Sequence, residues 1–316
     1  MLANLNQVLL PAKKGKYAVG LFNAVNMELA RGILAAAESA QSPVIMGTAE
    51  VLLPYGPLDE VSYYLIPMAK KASVPVVIHL DHGLNKETCL RALELGFSSI
   101  MYDCSTASYD ENVEKVKEMA DIAHSYGATI EGELGHVGDN EGSAEGNSSL
   151  EDPTRYYTDP KMAKDFVEKT GVDALAIAVG TAHGAYKLPP KLDFERIRTI
   201  ASSVDVPLVL HGGSGLSDTD FKRAIQEGIS KVNIFTDINV AAVEAEFKKF
   251  EYMSKGIIDL IPAAVEAVKQ ETLKKMRLFS SVGKASDTLA VKLDLQELNV
   301  AQIVEMVVTE IKKIQR

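Results

Sequence analysis

Three histidines in this sequence each follow an apolar run that is typical of a buried β-strand. They are His82, His183 and His211, and each is followed directly by glycine. Because the carboxyl ends of neighbouring parallel strands meet at one edge of a sheet, we expect the three imidazoles to converge there. Three imidazoles with a fourth position open form a catalytic zinc site. The spacing therefore predicts a Zn²⁺ ion bound by these three residues.

Acidic residues end the same strands or lie close to them. Asp81 directly precedes His82 and is placed to transfer a proton, while Asp103 and Glu133 end the fourth and fifth predicted strands and are placed to line the pocket. Glu141 lies in a polar segment, from which a carboxylate could swing over a bound substrate. Position alone, however, favours a solvated surface charge for Glu141.

The other three histidines receive no catalytic role from the sequence. His124 lies beside the apolar stripe of a predicted helix, which favours a surface position or a hydrogen-bonded place in the core. His79 lies inside a strand, where a hydrogen-bonded core residue is favoured over a partner of the metal ligands. His136 lies in the polar segment.

Two strand ends carry signals for phosphate binding. The seventh predicted strand is followed by His-Gly-Gly-Ser-Gly, which includes Gly212, Gly213 and Ser214, and the eighth ends in Asn-Ile-Phe-Thr-Asp at 233–237. Backbone N–H groups in such a loop can cradle an anion, and barrels often bind phosphate after strands 7 and 8. Lys187 could add positive charge. The glycine-rich loop by itself would favour a simple tight turn.

Strand-like and helix-like runs alternate along most of the chain. Eight strands with intervening helices predict a (β/α)₈ barrel, an α/β fold, with a doubly wound open sheet as the alternative. Nearly continuous apolar runs fit parallel strands that are buried on both faces. The predicted strands are Tyr17–Phe22, Pro43–Met46, Val76–Asp81, Ser98–Tyr102, Ala128–Glu133, Ala174–Val179, Pro207–His211 and Ile229–Phe235.

Two regions interrupt this alternation. Residues 135–160 are polar and rich in glycine, serine and acids, which predicts either a lid over the site or a disordered insertion. Beyond residue 236 the pattern is helical. We expect one barrel over residues 1–285 and a helical extension over 286–316 that packs on the barrel or at a subunit interface. The apolar stripe of this extension consists of Val300, Ile303, Val304, Val307, Val308, Ile311 and Ile314.

Composition excludes several classes of function. The chain has 316 residues and a net charge of −10, which disfavours nucleic acid and anionic membranes as partners. No apolar stretch approaches the ~18 residues of a membrane span, and the first residues lack the features of a signal peptide. Two cysteines, Cys89 and Cys104, are expected to be buried free thiols. We therefore expect a cytoplasmic protein.

Taken together, the motifs resemble the class II, zinc-dependent ketose-bisphosphate aldolases, which include the fructose- and tagatose-1,6-bisphosphate enzymes. The resemblance extends from about Tyr17 to Ala285. It rests on Ala-Val-Gly-Leu-Phe-Asn at 18–23, His-Leu-Asp-His-Gly at 79–83, Glu-Gly-Glu-Leu-Gly at 131–135, Gly-Thr-Ala-His-Gly at 180–184, His-Gly-Gly-Ser-Gly at 211–215 and Asn-Ile-Phe-Thr-Asp at 233–237.

The resemblance implies roles for the candidate residues. His82, His183 and His211 would bind zinc. Asp81 would be the acid and base acting on the C4 hydroxyl group of the substrate, and Glu141 would move the proton at C3.

The resemblance also implies binding partners. An alternative metal position lies near Asp103 and Glu133, Asn233 contacts the substrate, and a monovalent cation (Na⁺ or K⁺) is held near the phosphate. The substrate would be a small phosphorylated sugar, and the assembly a homodimer or homotetramer. The residues that match the phosphate site are Gly184, Lys187, Gly213, Ser214 and Thr236.

Elementary chemistry agrees with a metal-dependent aldolase. Breaking a C3–C4 bond leaves an electron pair that must flow into the C2 carbonyl group, and zinc is a Lewis acid for that oxygen. The other solution is a Schiff-base lysine. No lysine ends a predicted strand, and Lys231 lies at the start of one, so a metal is favoured.

The departures from the family concentrate at the distal end of the substrate. The family's Asp-Pro-Arg motif after strand 8, whose arginine reaches a neighbouring subunit's substrate, is replaced by Lys-Gly-Ile-Ile-Asp-Leu at 255–260. Phe235 and Thr48 also lie at positions that differ from the known subfamilies. Loss of an arginine fork weakens phosphate binding. We therefore expect a ketose 1-phosphate with an altered distal group, unless Lys255 or Arg277 replaces that arginine.

Two other classes of function are weaker alternatives. A zinc hydrolase would also use histidines and an aspartate, although it would not need the phosphate loops. A barrel that binds metal or sugar phosphate without catalysis would be expected to lack the acid and base residues, yet Asp81 and Glu141 are both present.

Overall fold

A computed structural model describes residues 1–137, 156–182, 190–253 and 256–288 of the chain. Five residues singled out from the sequence lie outside the described residues. They are Glu141, His183, Gly184, Lys187 and Lys255. The apolar stripe predicted for the C-terminal extension lies outside them as well.

Eight parallel strands form a closed barrel, which confirms the predicted (β/α)₈ fold. Each strand is hydrogen-bonded to two neighbours, and pairing of Val76–Gly83 with both Val44–Ala49 and Ser99–Tyr102 closes the ring. Closure excludes the doubly wound open sheet. The barrel strands are β2 (Val19–Asn23), β3 (Val44–Ala49), β4 (Val76–Gly83), β5 (Ser99–Tyr102), β6 (Thr129–Leu134), β7 (Ala174–Ile177), β8 (Leu208–Leu210) and β9 (Ile229–Ile234).

Amphipathic helices surround the barrel and follow the strands in order. Their ends agree with local sequence signals: Ser108 caps α5 by accepting from the backbone N–H of Glu111, and Ser217 caps α8. The helices are α2 (Met27–Ala40), α3 (Leu58–Lys71), α4 (Lys86–Leu95), α5 (Tyr109–Ser125), α6 (Pro160–Thr170), α7 (Phe194–Ser203), α8 (Asp218–Glu227), α9 (Thr236–Met253) and α10 (Ile257–Leu278).

Helices α9 and α10 extend the basic repeat after β9. Helix α10 packs against α2 and α9. It ends at the N-terminal face of the barrel, where the backbone N–H of Ala18 donates to the carbonyl of Phe279 at 3.0 Å. Among the described helices, none is long and apolar enough to cross a membrane.

A short N-terminal segment, which the sequence analysis did not identify, closes the N-terminal face of the barrel, which is its lower end. Strand β1 (Leu2–Ala3) pairs with the start of β4, and helix α1 (Leu5–Gly15) follows it. The buried side of α1 packs under the strands. Together they form an apolar cluster, here called the lumen cluster, which includes Leu5, Val8, Leu9, Ala12, Tyr17, Val19, Leu21, Ile45, Val77, Met101, Ala174, Ala176 and Val209.

The strands face two different environments. Ile45 belongs to the lumen cluster and the next residue, Met46, to the cluster between strands and helices, as the two-residue period of a strand requires. Both cysteines are free and buried, as predicted. Above the apolar cluster, lumen positions become polar, and this level forms the site.

Candidate active site

Strand β4 delivers two consecutive side chains to the same point. Successive residues of a strand normally face opposite sides, but His82 has a φ of +45° and the pairing with β5 shifts register between Leu80 and Gly83. A non-glycine residue in the left-handed region is uncommon and is concentrated at functional sites. The distortion lets both Asp81 and His82 face the mouth of the lumen.

Two imidazoles converge at this mouth, and each is held from behind by a carboxylate, partly buried for His82 and fully buried for His211. The Nε2 atom of His82 lies 2.7 Å from the Nδ1 atom of His211. The Nδ1 atom of His82 contacts Asp103 Oδ2 at 2.8 Å, and the Nε2 atom of His211 contacts Glu131 Oε1 at 2.8 Å. A carboxylate behind a histidine fixes the ring nitrogen that faces a metal. The donor set therefore fits a zinc ion.

The third predicted zinc ligand, His183, lies outside the described residues, but the chain that leads to it is placed. Gly212, directly after His211, has a φ of +64°, and a Cβ atom there would lie 2.2 Å from the carbonyl oxygen of Ala182. The loops after β7 and β8 are thus packed together, with glycine required at their contact.

Asp81 is held by two carboxamides. Asn23 Nδ2 donates to Asp81 Oδ2 at 2.9 Å, and Asn233 Nδ2 donates to Asp81 Oδ1 at 2.8 Å. Burial raises the pKa of Asp81, but the facing imidazoles of His82 and His211 outweigh it and lower the pKa to about 2. Asp81 is therefore a buried carboxylate at neutral pH, able to accept a proton.

Asp103 and Glu133 form a second acidic cluster, which lies beside His82. Ligand atoms of His82, Asp103 and Glu133 lie within 4.8 Å of one another, so the structure brings together the residues of the predicted alternative metal position. Burial, followed by the charge of Asp103, raises the pKa of Glu133 to about 8. Burial lowers the pKa of His82, but the hydrogen bond to Asp103 and nearby acidic groups raise it to about 9.

The predicted phosphate-binding residues that the structure describes lie beside the histidines and carboxylates of the site. The backbone N–H of Gly213 donates to the carbonyl of Asn233 at 3.3 Å, and Ser214 Oγ accepts from the N–H of Phe235 at 3.4 Å. Thr236 opens helix α9. Free N–H groups at a helix N-terminus favour an anion, so the two loops form one surface suited to phosphate.

Of the two residues predicted to set distal specificity, Thr48 faces away from the site, whereas Phe235 is partly buried at the end of β9. Thr48 pairs with Leu80, which belongs to the cluster between strands and helices, and Phe235 packs against that same cluster. Ala49, which pairs with Asp81, occupies the lumen side of the segment instead. Arg277 is exposed in the last turn of α10, two residues after Lys275, which pairs with Asp237 in the first turn of α9.

Three lumen residues of the site received no role in the sequence analysis. Asn23 contacts Asp81, Glu131 contacts His211, and the fully buried Lys231 lies between Glu131 and Asn233. Strand periodicity was the available signal, because Glu131 and Lys231 lie two residues from Glu133 and Asn233 and so share their faces. His79, also buried, bonds Ser99 Oγ through Nδ1 at 2.8 Å, as expected for a hydrogen-bonded core residue.

Comparison with known proteins gives a consistent result. The family described as fructose-bisphosphate aldolase class-II matches residues 3–284. The protein YdjI of Escherichia coli K12 is 40% identical over 285 residues, covering 90% of this chain and 100% of YdjI. A fructose-bisphosphate aldolase of Geobacillus stearothermophilus is 38% identical over 291 residues, covering 90% and 99%.

Solved structures show the same architecture. The crystal structure of the YdjI aldolase superposes with a TM-score of 0.81 at 38% identity, covering 90% of this chain and 100% of that one. A putative fructose-1,6-bisphosphate aldolase from Coccidioides immitis superposes with a TM-score of 0.78 at 29% identity, covering 88% and 96%.

Proposed function

The chain belongs to the class II fructose-bisphosphate aldolase family and is therefore a lyase, and from this premise we propose that it is a zinc-dependent aldolase. It would cleave a ketose 1-phosphate reversibly into dihydroxyacetone phosphate and an aldehyde. The observation that carries the proposal is the convergence of His82 and His211, each backed by a carboxylate, beside Asp81. His183 would complete the ligand set.

Different residues of the chain would carry out different steps of the reaction. Bound zinc would supply a Lewis acid for the C2 carbonyl oxygen. Asp81, which Asn23 and Asn233 hold in place, would take the proton of the C4 hydroxyl group. The C3–C4 bond then breaks, its electron pair moves toward C2, and Glu141 would return a proton to C3.

The phosphate on C1 would bind at the loops after β8 and β9. Gly212, Gly213 and Ser214 lie on one side of this surface and Thr236 on the other. Gly184 and Lys187 would complete it. The monovalent cation and the homodimer or homotetramer implied by the family remain predictions.

We further propose that the distal half of the substrate differs from that of the bisphosphate enzymes. The sequence lacks the family's arginine after strand 8, where residues 255–260 read Lys-Gly-Ile-Ile-Asp-Leu. A hydroxyl, carboxylate or sulfonate group on the distal carbon would not need that arginine. A ketose 1-phosphate is therefore favoured over a 1,6-bisphosphate.

Release of dihydroxyacetone phosphate, coupled to NADH oxidation, tests both proposals. Ketose 1,6-bisphosphates are compared with the matching ketose 1-phosphates, with and without a chelator. Turnover that the chelator abolishes and zinc restores would support the zinc aldolase, and preference for the 1-phosphates would support the altered distal half. Preference for the bisphosphates would contradict the second proposal, and no product from any substrate would contradict both.

A further inference from the structure

One charged side chain below the site remains without a role in the proposed mechanism. Lys231, on β9, is fully buried, and its Nζ atom lies 2.8 Å from Glu131 Oε2 and 2.8 Å from Asn233 Oδ1. Removing an ammonium group from water is costly unless it is paired and hydrogen-bonded. Lys231 meets this requirement through two residues that each lead to the proposed reaction centre.

The first connection passes through Asn233. Because Lys231 donates to the carboxamide oxygen, the amide nitrogen of Asn233 must face the other way. That nitrogen donates to Asp81 Oδ1 at 2.8 Å and lies 3.3 Å from the Nδ1 atom of His211. Lys231 therefore helps to fix which way the carboxamide of Asn233 faces.

The second connection passes through Glu131. One oxygen of this carboxylate faces Lys231, and the other contacts the Nε2 atom of His211 at 2.8 Å. The imidazole of His79 lies 3.9 Å from the oxygen that faces Lys231. Lys231 therefore holds the carboxylate that orients a proposed zinc ligand.

We propose that Lys231 is a positioning residue that sets two orientations at once, that of Asn233 toward Asp81 and that of His211 toward the metal. The inference rests on the proposed aldolase function. It predicts that an uncharged side chain of similar length would fill the space, as apolar residues do lower in the lumen, yet would leave both orientations undefined.

A double-mutant cycle tests the first connection. In zinc-saturated enzyme, Lys231→Met is expected to lower kcat about 10²-fold, the scale at which a small misplacement of a reacting group acts. In an Asn233→Ala background the same change should lower kcat less than about threefold, because the orientation is already lost. An equal loss in both backgrounds would show that Lys231 acts only on the fold and would overturn the proposal.

Zinc affinity, measured by competition with a chromophoric chelator, tests the second connection without any turnover. Lys231→Met is expected to weaken zinc binding about 10–100-fold, the usual effect of losing an outer partner of a ligand. Ile229→Ala, a buried change at the start of the same strand that faces the helices, should leave zinc affinity unchanged. Unchanged affinity in Lys231→Met would overturn this half.

A further variant covers the case in which Lys231→Met does not fold. The pair Lys231→Met with Glu131→Gln leaves no unpaired buried charge and keeps an oxygen for His211. It should bind zinc within about threefold of wild type and still show the low kcat. Wild-type kcat in this pair would overturn the proposal. Absence of turnover in the wild-type enzyme would instead contradict the aldolase function, with the zinc measurement still interpretable.

Discussion

The lower and upper halves of the barrel lumen are built from the same strands but follow different physical rules. The lower half is an apolar cluster closed by α1, whereas the upper half contains Asp81, Glu131, Lys231 and three histidines, His79, His82 and His211. On β4, Val77 belongs to the first half and Asp81 to the second, four residues apart on one face. The contrast indicates that stability is concentrated below and chemistry above.

The largest expected effect comes from the upper half. Asp81→Ala should lower kcat about 10²–10⁴-fold, because the base is lost, while zinc binding is retained since the proposed ligands are intact. Steady-state assays of dihydroxyacetone phosphate release, with zinc content measured on the same sample, check this. Retained turnover would exclude Asp81 as the base, and lost zinc would assign it to the metal instead.

A change in the lower half should have the opposite character. Leu9 is fully buried in α1, while its neighbour Leu10 is 45% exposed. Leu9→Ala should destabilise the protein by about 2–5 kcal/mol through lost burial and a residual cavity, and kcat should stay within about twofold below the unfolding transition. Leu10→Ala is the matched control, expected to change unfolding by less than about 1 kcal/mol. Denaturant unfolding of both variants makes the comparison.

Two histidine–aspartate pairs, one in the upper half of the barrel and one at its lower end, test the same contrast. Removing the upper aspartate should have an effect of intermediate size. His82 and Asp103 lie 2.8 Å apart at the mouth, and His124 and Asp173 lie 2.9 Å apart at the lower end. Asp103→Ala should weaken zinc binding about 10–100-fold. Asp173→Ala should lower stability and leave zinc affinity unchanged, because no second imidazole of the described residues is placed beside that pair. Similar zinc losses in both variants would refute the assignment.

The smallest expected effect belongs to an upper residue that acts on stability. Glu50 accepts hydrogen bonds from the backbone N–H of Asn85 at 3.0 Å and from Thr88 Oγ1 at 2.9 Å, which ties the loop after β3 to the start of α4. Glu50→Ala should cost about 1 kcal/mol, the usual value of a helix cap. The exposed Glu87, in the first turn of α4, provides the control Glu87→Ala. Equal shifts in Tm would mean that charge alone matters.

Much of the fold could be predicted because burial on both faces leaves a strong pattern. All eight barrel strands overlap the predicted strands, and helix ends coincide with Ser108, Ser217 and Gly228. Helix α1 was missed. Its role as a plug depends on strands more than a hundred residues away, for example the N–H of Leu5 donating to Thr129, and local periodicity does not show this.

The site was predictable only in part, for a related reason. The sequence identified residues at strand ends, and the structure brings Asp81, His82, His211 and Asn233 together as expected from parallel strands. Thr48 was assigned to the site from its position in the sequence alone. Strand alternation instead turns its side chain toward the helices. Lys231 was passed over because it lies at the beginning of a strand, although its length lets the ammonium group reach the polar level.

Helix α1, which closes the lower end of the barrel, also has a consequence for the order of folding. Asn6 donates to Asp173, and Lys13 donates to the carbonyls of Val204, Asp205 and Val206, contacts that span 167 to 193 residues of sequence. During synthesis this segment emerges before the barrel strands, yet its binding surface exists only after β7 and β8 have been made. We expect α1 to dock late, after most of the barrel that follows it in the sequence has been made.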